Sequence, residues 1–89
     1  MTPPDRAQII DQLKPLLVSA SNGRAKLEQV SEDSLIIEDV GLASLDLLEL
    51  RFELEDRLST RITDEEAISL KTIRDVVNII IAKSGAQTA

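Results

Sequence analysis

Six residues, Gly41-Leu42-Ala43-Ser44-Leu45-Asp46, place a serine at the start of a strongly amphipathic, acid-rich segment that continues as Leu47-Leu48-Glu49-Leu50. A serine hydroxyl is a weak nucleophile by itself, and the chain contains no histidine to activate it and no cysteine to replace it. At a helix N-terminus, however, a serine is well placed to carry a phosphate. Free backbone N–H groups and the positive end of the helix dipole both favour negative charge there. The competing role is structural: serine is a common N-cap, and its loss to alanine costs about 1 kcal/mol. On position alone Ser44 reads as a cap, so the case for chemistry rests on its surroundings.

Composition narrows the choices. Eighty-nine residues suit a single domain over 1–89 with one modest core and no deep substrate cleft. The expected core spans about 3–83, followed by a flexible tail over 84–89. One phenylalanine, with no tryptophan or tyrosine, implies an aliphatic helical core. Without cysteine or histidine there are no disulfides, thiol nucleophiles, imidazole bases or common zinc ligands, and no metal site is expected. No apolar run reaches the length of a membrane span and the N-terminus lacks a secretory pattern, so a cytoplasmic protein is expected. The net charge of −6 is uneven: residues 28–56 hold ten acids and one base, Arg51. Such a middle repels nucleic acid and favours basic protein surfaces. A solvated face that keeps a small protein soluble would look the same.

The elements needed to position Ser44 follow from periodicity. Thr2-Pro3-Pro4-Asp5 opens a first helix, with Thr2 a candidate cap and Ile9, Ile10, Leu13, Leu16 and Leu17 at helical spacing. Pro15 predicts a kink or an early stop, and Ser21-Asn22-Gly23 an end. Residues 24–43 have no sustained period; Leu27, Val30, Leu35, Ile36 and Ile37 are spaced like anchors pinning a long loop to the core. A strand at Leu35-Ile36-Ile37 has no obvious partner. A second helix is predicted from about Ser44 to Leu58. Thr63-Asp64-Glu65-Glu66 is a capping-box pattern opening a short third helix to about Leu70, and Thr72 can cap a fourth carrying Ile73, Val76, Val77, Ile80 and Ile81. Gly85 to Ala89 reads as a frayed tail.

At about 100° per residue the second helix has two apolar faces. Leu47, Leu50, Leu54 and Leu58 form the natural core stripe, while Leu45, Leu48 and Phe52 lie nearly opposite. Asp46, Glu49, Glu53 and Asp56 line one flank between them, with Glu55 on the other side of the second stripe. One helix of a small bundle rarely buries both faces, so the trio is expected to be partly exposed with a charged rim, as a docking surface is. The alternative is that the long loop covers it. Arg51–Glu55 and Glu53–Arg57 have i,i+4 spacing and read as solubility pairs.

The joint pattern resembles the acyl carrier protein family, whose usual core is Gly-x-Asp-Ser-Leu. The similar residues are Glu38-Asp39-Val40-Gly41, Ser44-Leu45-Asp46, Glu49-Leu50, Leu54-Glu55-Asp56, Ile62, Asp64-Glu65-Glu66-Ala67 and Thr72-Ile73. The helix–long loop–helix–short helix–helix order is also the family's. The resemblance implies an all-α four-helix bundle whose Ser44 receives 4′-phosphopantetheine from coenzyme A through a separate phosphopantetheinyl transferase. It implies a carrier, without catalytic residues of its own, that holds acyl groups as thioesters. Its implied clients are acyltransferase, ketosynthase or ligase-type enzymes of fatty-acid, polyketide or related biosynthesis, with basic docking patches. Asp46, Glu49, Glu55 and Asp56 fill the family's acidic partner positions, and Leu45, Leu48 and Phe52 its apolar ones. A monomer is the default.

Three departures suggest a specialised pathway. Ala43 stands where the family usually has Asp, Thr63 where primary carriers often have proline, and Arg51 and Arg57 place cations on a helix usually more acidic. An aminoacyl or peptidyl carrier is a close alternative, and a helical interaction module never loaded, with Ser44 only a cap, is a more distant one. A hydrolase built on Ser44 has least support, because no evident base can activate it.

Overall fold

The computed structural model describes residues 5–86. Four helices follow in the expected order: α1 Arg6–Ala20, α2 Ser44–Leu58, α3 Asp64–Ile68 and α4 Ile73–Ala86. Helix α1 packs against α2 and α4, and α2 against α4. Their facing side chains are aliphatic throughout: Leu13 and Leu17 from α1, Leu50 and Leu54 from α2, and Ile73, Val76 and Val77 from α4 are all buried. Leu47 packs on the edge of this core, and Leu58 is half-buried.

The start of α1 differs from expectation. Asp5 is the N-cap: its carboxylate accepts the Gln8 N–H at 2.8 Å, and the Gln8 side chain accepts the Asp5 N–H at 3.1 Å. Thr2 lies outside the described residues. Nor does Pro15 stop the helix, which continues to Ala20. Proline in a helix interior costs about 3 kcal/mol. Leu13, Leu16 and Leu17, buried on either side of it, offset that at about 1.5–3 kcal/mol each. The end falls as expected, with Asn22 and Gly23 in left-handed conformations at φ 56° and 84°.

The long loop closes the bundle. Ile36, Val40 and Leu42 are fully buried, while Leu27 and Val30 pack against the core from its edge. Val40 and Leu42 were not among the expected anchors, and Ile37, which was, is 47% exposed. The turn after Leu35 explains both. The Leu35 carbonyl accepts the N–H groups of Asp39 and Val40, which reverses the chain and turns Ile37 outward while Ile36 points in. Among the described residues no strand forms; Leu35 makes one antiparallel bridge, to Thr72. Around it, Ile36 donates to Lys71 O at 2.9 Å, Ile73 to Ser34 O at 3.0 Å and Arg74 to Glu32 O at 2.9 Å. Glu32 also receives Arg6 Nε at 2.8 Å and lies 3.5 Å from Arg74 Nε, tying the loop to α1 and α4 together.

The later caps form as expected. Thr63 accepts the Glu66 N–H while the Glu66 carboxylate accepts the Thr63 N–H at 2.9 Å. Lys83 Nζ then reaches Glu66 at 3.0 Å, joining α3 to α4. Thr72 and Asp75 cap each other in the same way. In α4, Ile73, Val76 and Val77 face inward, but Ile81 is exposed. The helix runs to Ala86, past Gly85, where the sequence predicts fraying.

Three carboxyls gain protection from these contacts. The hydrogen bond from Arg6 holds Glu32 below the usual carboxylate range, and the Thr63 N–H together with Lys83 does the same for Glu66. Burial pushes Asp75 upward, but the N–H groups of Thr72 and Lys71 outweigh it and hold it low. Groups that bind protons less readily folded than unfolded contribute stability that is complete above the usual carboxylate range. It is lost as pH falls through their lowered folded values. The melting temperature should therefore hold steady from pH 7 to about 5 and drop below about 4. In Glu66→Gln the drop should be shallower, as followed by circular dichroism.

Candidate functional site

The site is built by the turn that brings the loop into α2. Gly41 takes φ 94°, a left-handed conformation that suits glycine. It allows Leu42 to enter the core while its N–H donates to Ile36 O at 3.1 Å. Two residues later Ser44 is exposed at the first position of α2. Ser44 is therefore not the N-cap. That position belongs to Ala43, whose extended backbone (φ −85°, ψ 166°) precedes the first helical residue.

Alanine has no acceptor for the first-turn amides, so only the reciprocal half of a cap exists: Asp46 Oδ2 accepts the Ala43 N–H at 2.7 Å. The Ser44 hydroxyl has no hydrogen-bond partner among the described residues, and neither do the N–H groups of Ser44 and Leu45. An uncommitted hydroxyl beside two free donors at the positive end of a 15-residue helix fits a phosphoester at this position.

The acids separate into two groups. Asp46, expected on the docking flank, is only 9% exposed and pairs with Arg24, whose Nη2 donates to Oδ2 at 2.6 Å. Glu55 is also turned inward: it accepts the Ile62 N–H at 2.7 Å and pins the segment between α2 and α3. Glu49 and Asp56 are exposed with no ion pair among the described residues. Arg51 is not a surface cation. Its guanidinium donates to Ile62 O at 3.0 Å and Asp64 Oδ1 at 2.8 Å, with Glu55 at 4.0 Å, so it serves as a brace instead of a solubility pair. The expected Glu53–Arg57 pair does not form among the described residues.

The second stripe of α2 stands in solvent, uncovered by the loop: Leu45 is 78% exposed, Leu48 50% and Phe52 55%. Ile68 of α3, 76% exposed, extends it. Leu48 and Ile68 face the same shallow groove of about 390 Å³ between α2 and α3, floored by Leu47 and Ala67 and rimmed by Arg51 and Asp64. Ile68 escapes sequence reasoning because a five-residue helix is too short to define an apolar face.

The chain has counterparts among known proteins. The family model described as "Phosphopantetheine attachment site" matches residues 23–80, more than half of the chain. The chain belongs to the acyl carrier protein family. It is 40% identical over 67 residues to an acyl carrier protein of Rickettsia bellii (strain RML369-C), covering 75% of this chain and 78% of the relative. It is also 40% identical over 72 residues to one from Wolinella succinogenes, covering 81% and 92%. The crystal structure of a Thermotoga maritima acyl carrier protein superposes with a TM-score of 0.75 at 26% identity, covering 92% of this chain and 93% of that one. The prosthetic group of this acyl carrier is thus covalently attached 4′-phosphopantetheine. Family membership also brings partners: a phosphopantetheinyl transferase and biosynthetic enzymes that use the carried group. Among the described residues, no helix is long and apolar enough to cross a membrane.

Two substitutions check the local physics by chemical denaturation. Ser44→Ala should change stability by less than about 0.5 kcal/mol, because no cap is lost. Gly41→Ala should cost about 1–2 kcal/mol, because its left-handed φ persists.

Proposed function

We propose that the chain tethers acyl intermediates as thioesters on a 4′-phosphopantetheine arm at Ser44. It would deliver them to enzymes of a dedicated fatty-acid, polyketide or related pathway. One observation carries the reading: Ser44 has an exposed, uncommitted hydroxyl at the head of α2, directly beside the solvent-exposed strip of Leu45, Leu48 and Phe52. During loading, Ser44 Oγ forms the bond to phosphorus and the pyrophosphate P–O bond of coenzyme A breaks. The nucleotide leaves with the electron pair, and the serine proton passes to a base on the transferase. The chain has no histidine to act as that base. When bound, the arm supplies the thiol that this cysteine-free chain lacks.

The chain's own work is then to present rather than to catalyse. Free donors at the helix start suit the attached phosphodiester. The apolar strip supplies burial on docking, and Glu49 and Asp56 supply steering toward basic surfaces. Asp46 and Glu55, held inside the protein, are not assigned to docking.

Intact-protein mass after incubation with coenzyme A, magnesium and a promiscuous transferase tests the attachment. Wild type should gain one phosphopantetheine and Ser44→Ala none. A wild type that stays unmodified, also with the transferase of its own source, would favour an interaction module without an arm. For docking, Glu49→Lys/Asp56→Lys should slow loading several-fold at low salt and much less at high salt. A salt-independent effect would remove the steering role.

A further inference from the structure

Arg24 belongs to neither helix that it joins. It follows the left-handed Asn22–Gly23 turn at the end of α1. Its Nε donates to Ser21 O at 2.9 Å, and Ser21 is itself buried. Its Nη2 donates to Asp46 Oδ2 at 2.6 Å. That same oxygen accepts the Ala43 N–H at 2.7 Å. A single carboxylate oxygen thus connects the end of α1 to the peptide immediately before Ser44. Lys26 N–H donates to Val40 O at 2.7 Å and ties the segment after Arg24 to the approach to the same turn.

The connection matters because the turn cannot hold itself. Ala43 offers no side-chain acceptor, and Gly41 gives the backbone more freedom than any other residue type would. Among the described residues, Asp46 is the one side chain that grips the turn, and it does so from a largely buried position. A carboxylate kept there without a cation would have only the Ala43 N–H against its lost hydration and would turn outward to water, releasing that N–H. Arg24 supplies the cation.

We propose that Arg24 is a positioning residue for the modification of Ser44. Acting through Asp46, it fixes the Ala43–Ser44 peptide and with it the direction in which the Ser44 hydroxyl meets the transferase. The proposal rests on Ser44 being the attachment site. It differs in sign from a docking role for Asp46. Freeing a docking acid from Arg24 would tighten the encounter with a basic partner, whereas freeing a positioning acid slows the transfer step.

The test measures steady-state transfer from coenzyme A to the full chain by a promiscuous transferase, together with amide hydrogen exchange. Arg24→Ala should lower kcat about tenfold while KM for the carrier moves less than about twofold, since misplacing a reacting group penalises the chemical step. Arg24→Lys, which keeps a cation for Asp46, should recover most of the loss. The double variant Arg24→Ala/Asp46→Asn should be no slower than the slower single variant, because both break one linkage. Arg6→Ala removes the ion pair with Glu32 in the middle of the loop, away from the turn, and should keep the wild-type kcat. In Arg24→Ala the Ala43 amide should exchange about tenfold faster while that of Val77 is unchanged. An unchanged or raised kcat in Arg24→Ala, or an equal loss in Arg6→Ala, overturns the proposal. If wild type accepts no arm, the Ser44 reading fails instead. The Ala43 exchange rate then still decides whether Arg24 holds the turn.

Discussion

Three helices with purely aliphatic facing side chains leave a gap that the long loop must fill, and the position of every functional group depends on how it is filled. Ile36, Val40 and Leu42 enter the core within seven residues. Seating Leu42 leaves only Gly41 and Ala43 to turn the chain before α2 begins, which puts Ser44 in water two residues after a buried leucine. The loop is in turn locked by main-chain bonds to the start of α4 and by Glu32 between Arg6 and Arg74. An exposed serine at the helix start is a consequence of this closure, with the Ala43 N–H held by Asp46 from within α2.

Electrostatics are divided by the same geometry. The acidic middle of the chain looks uniform, yet its carboxylates do different work. Glu32, Asp39, Asp46 and Glu55 accept hydrogen bonds from backbone amides or arginines within the protein. Glu28, Asp33, Glu38, Glu49 and Asp56 are exposed, and so is Asp39 despite its bond to the Leu35 N–H. Carboxylates committed to internal partners are less available to an approaching basic surface than the exposed ones. The two arginines of α2 divide likewise: Arg51 is turned in to brace Ile62 and Asp64, while Arg57 stays exposed.

Exposed Ser44 and the solvent-facing apolar strip share a single helix with opposed faces. Leu50 and Leu54 anchor α2 in the core, and Leu48, Phe52 and Leu45 stay in solvent. Burial of one face gives the helix its place, and this rigidity lets the other face, extended by Ile68, present a fixed shape beside the serine.

Much of this was legible in the residues alone. Regular elements announce themselves through period and caps: α2 spans Ser44–Leu58 as its leucine spacing predicts, and Thr63 with Glu66 and Thr72 with Asp75 cap the last two helices. The opposed apolar faces of α2 follow from the same spacing, because helical geometry is local. Tertiary structure alone decided what each side chain meets. Asp5 caps α1, Pro15 is tolerated because leucines around it are buried, and Val40 replaces Ile37 as an anchor because a main-chain turn reverses the loop. It also took Ser44 out of the cap position and turned Asp46 from the docking flank toward Arg24, 22 residues earlier in the chain. Periodicity records which face a residue occupies. It holds no information about the distant partner that makes burying a charge on that face affordable.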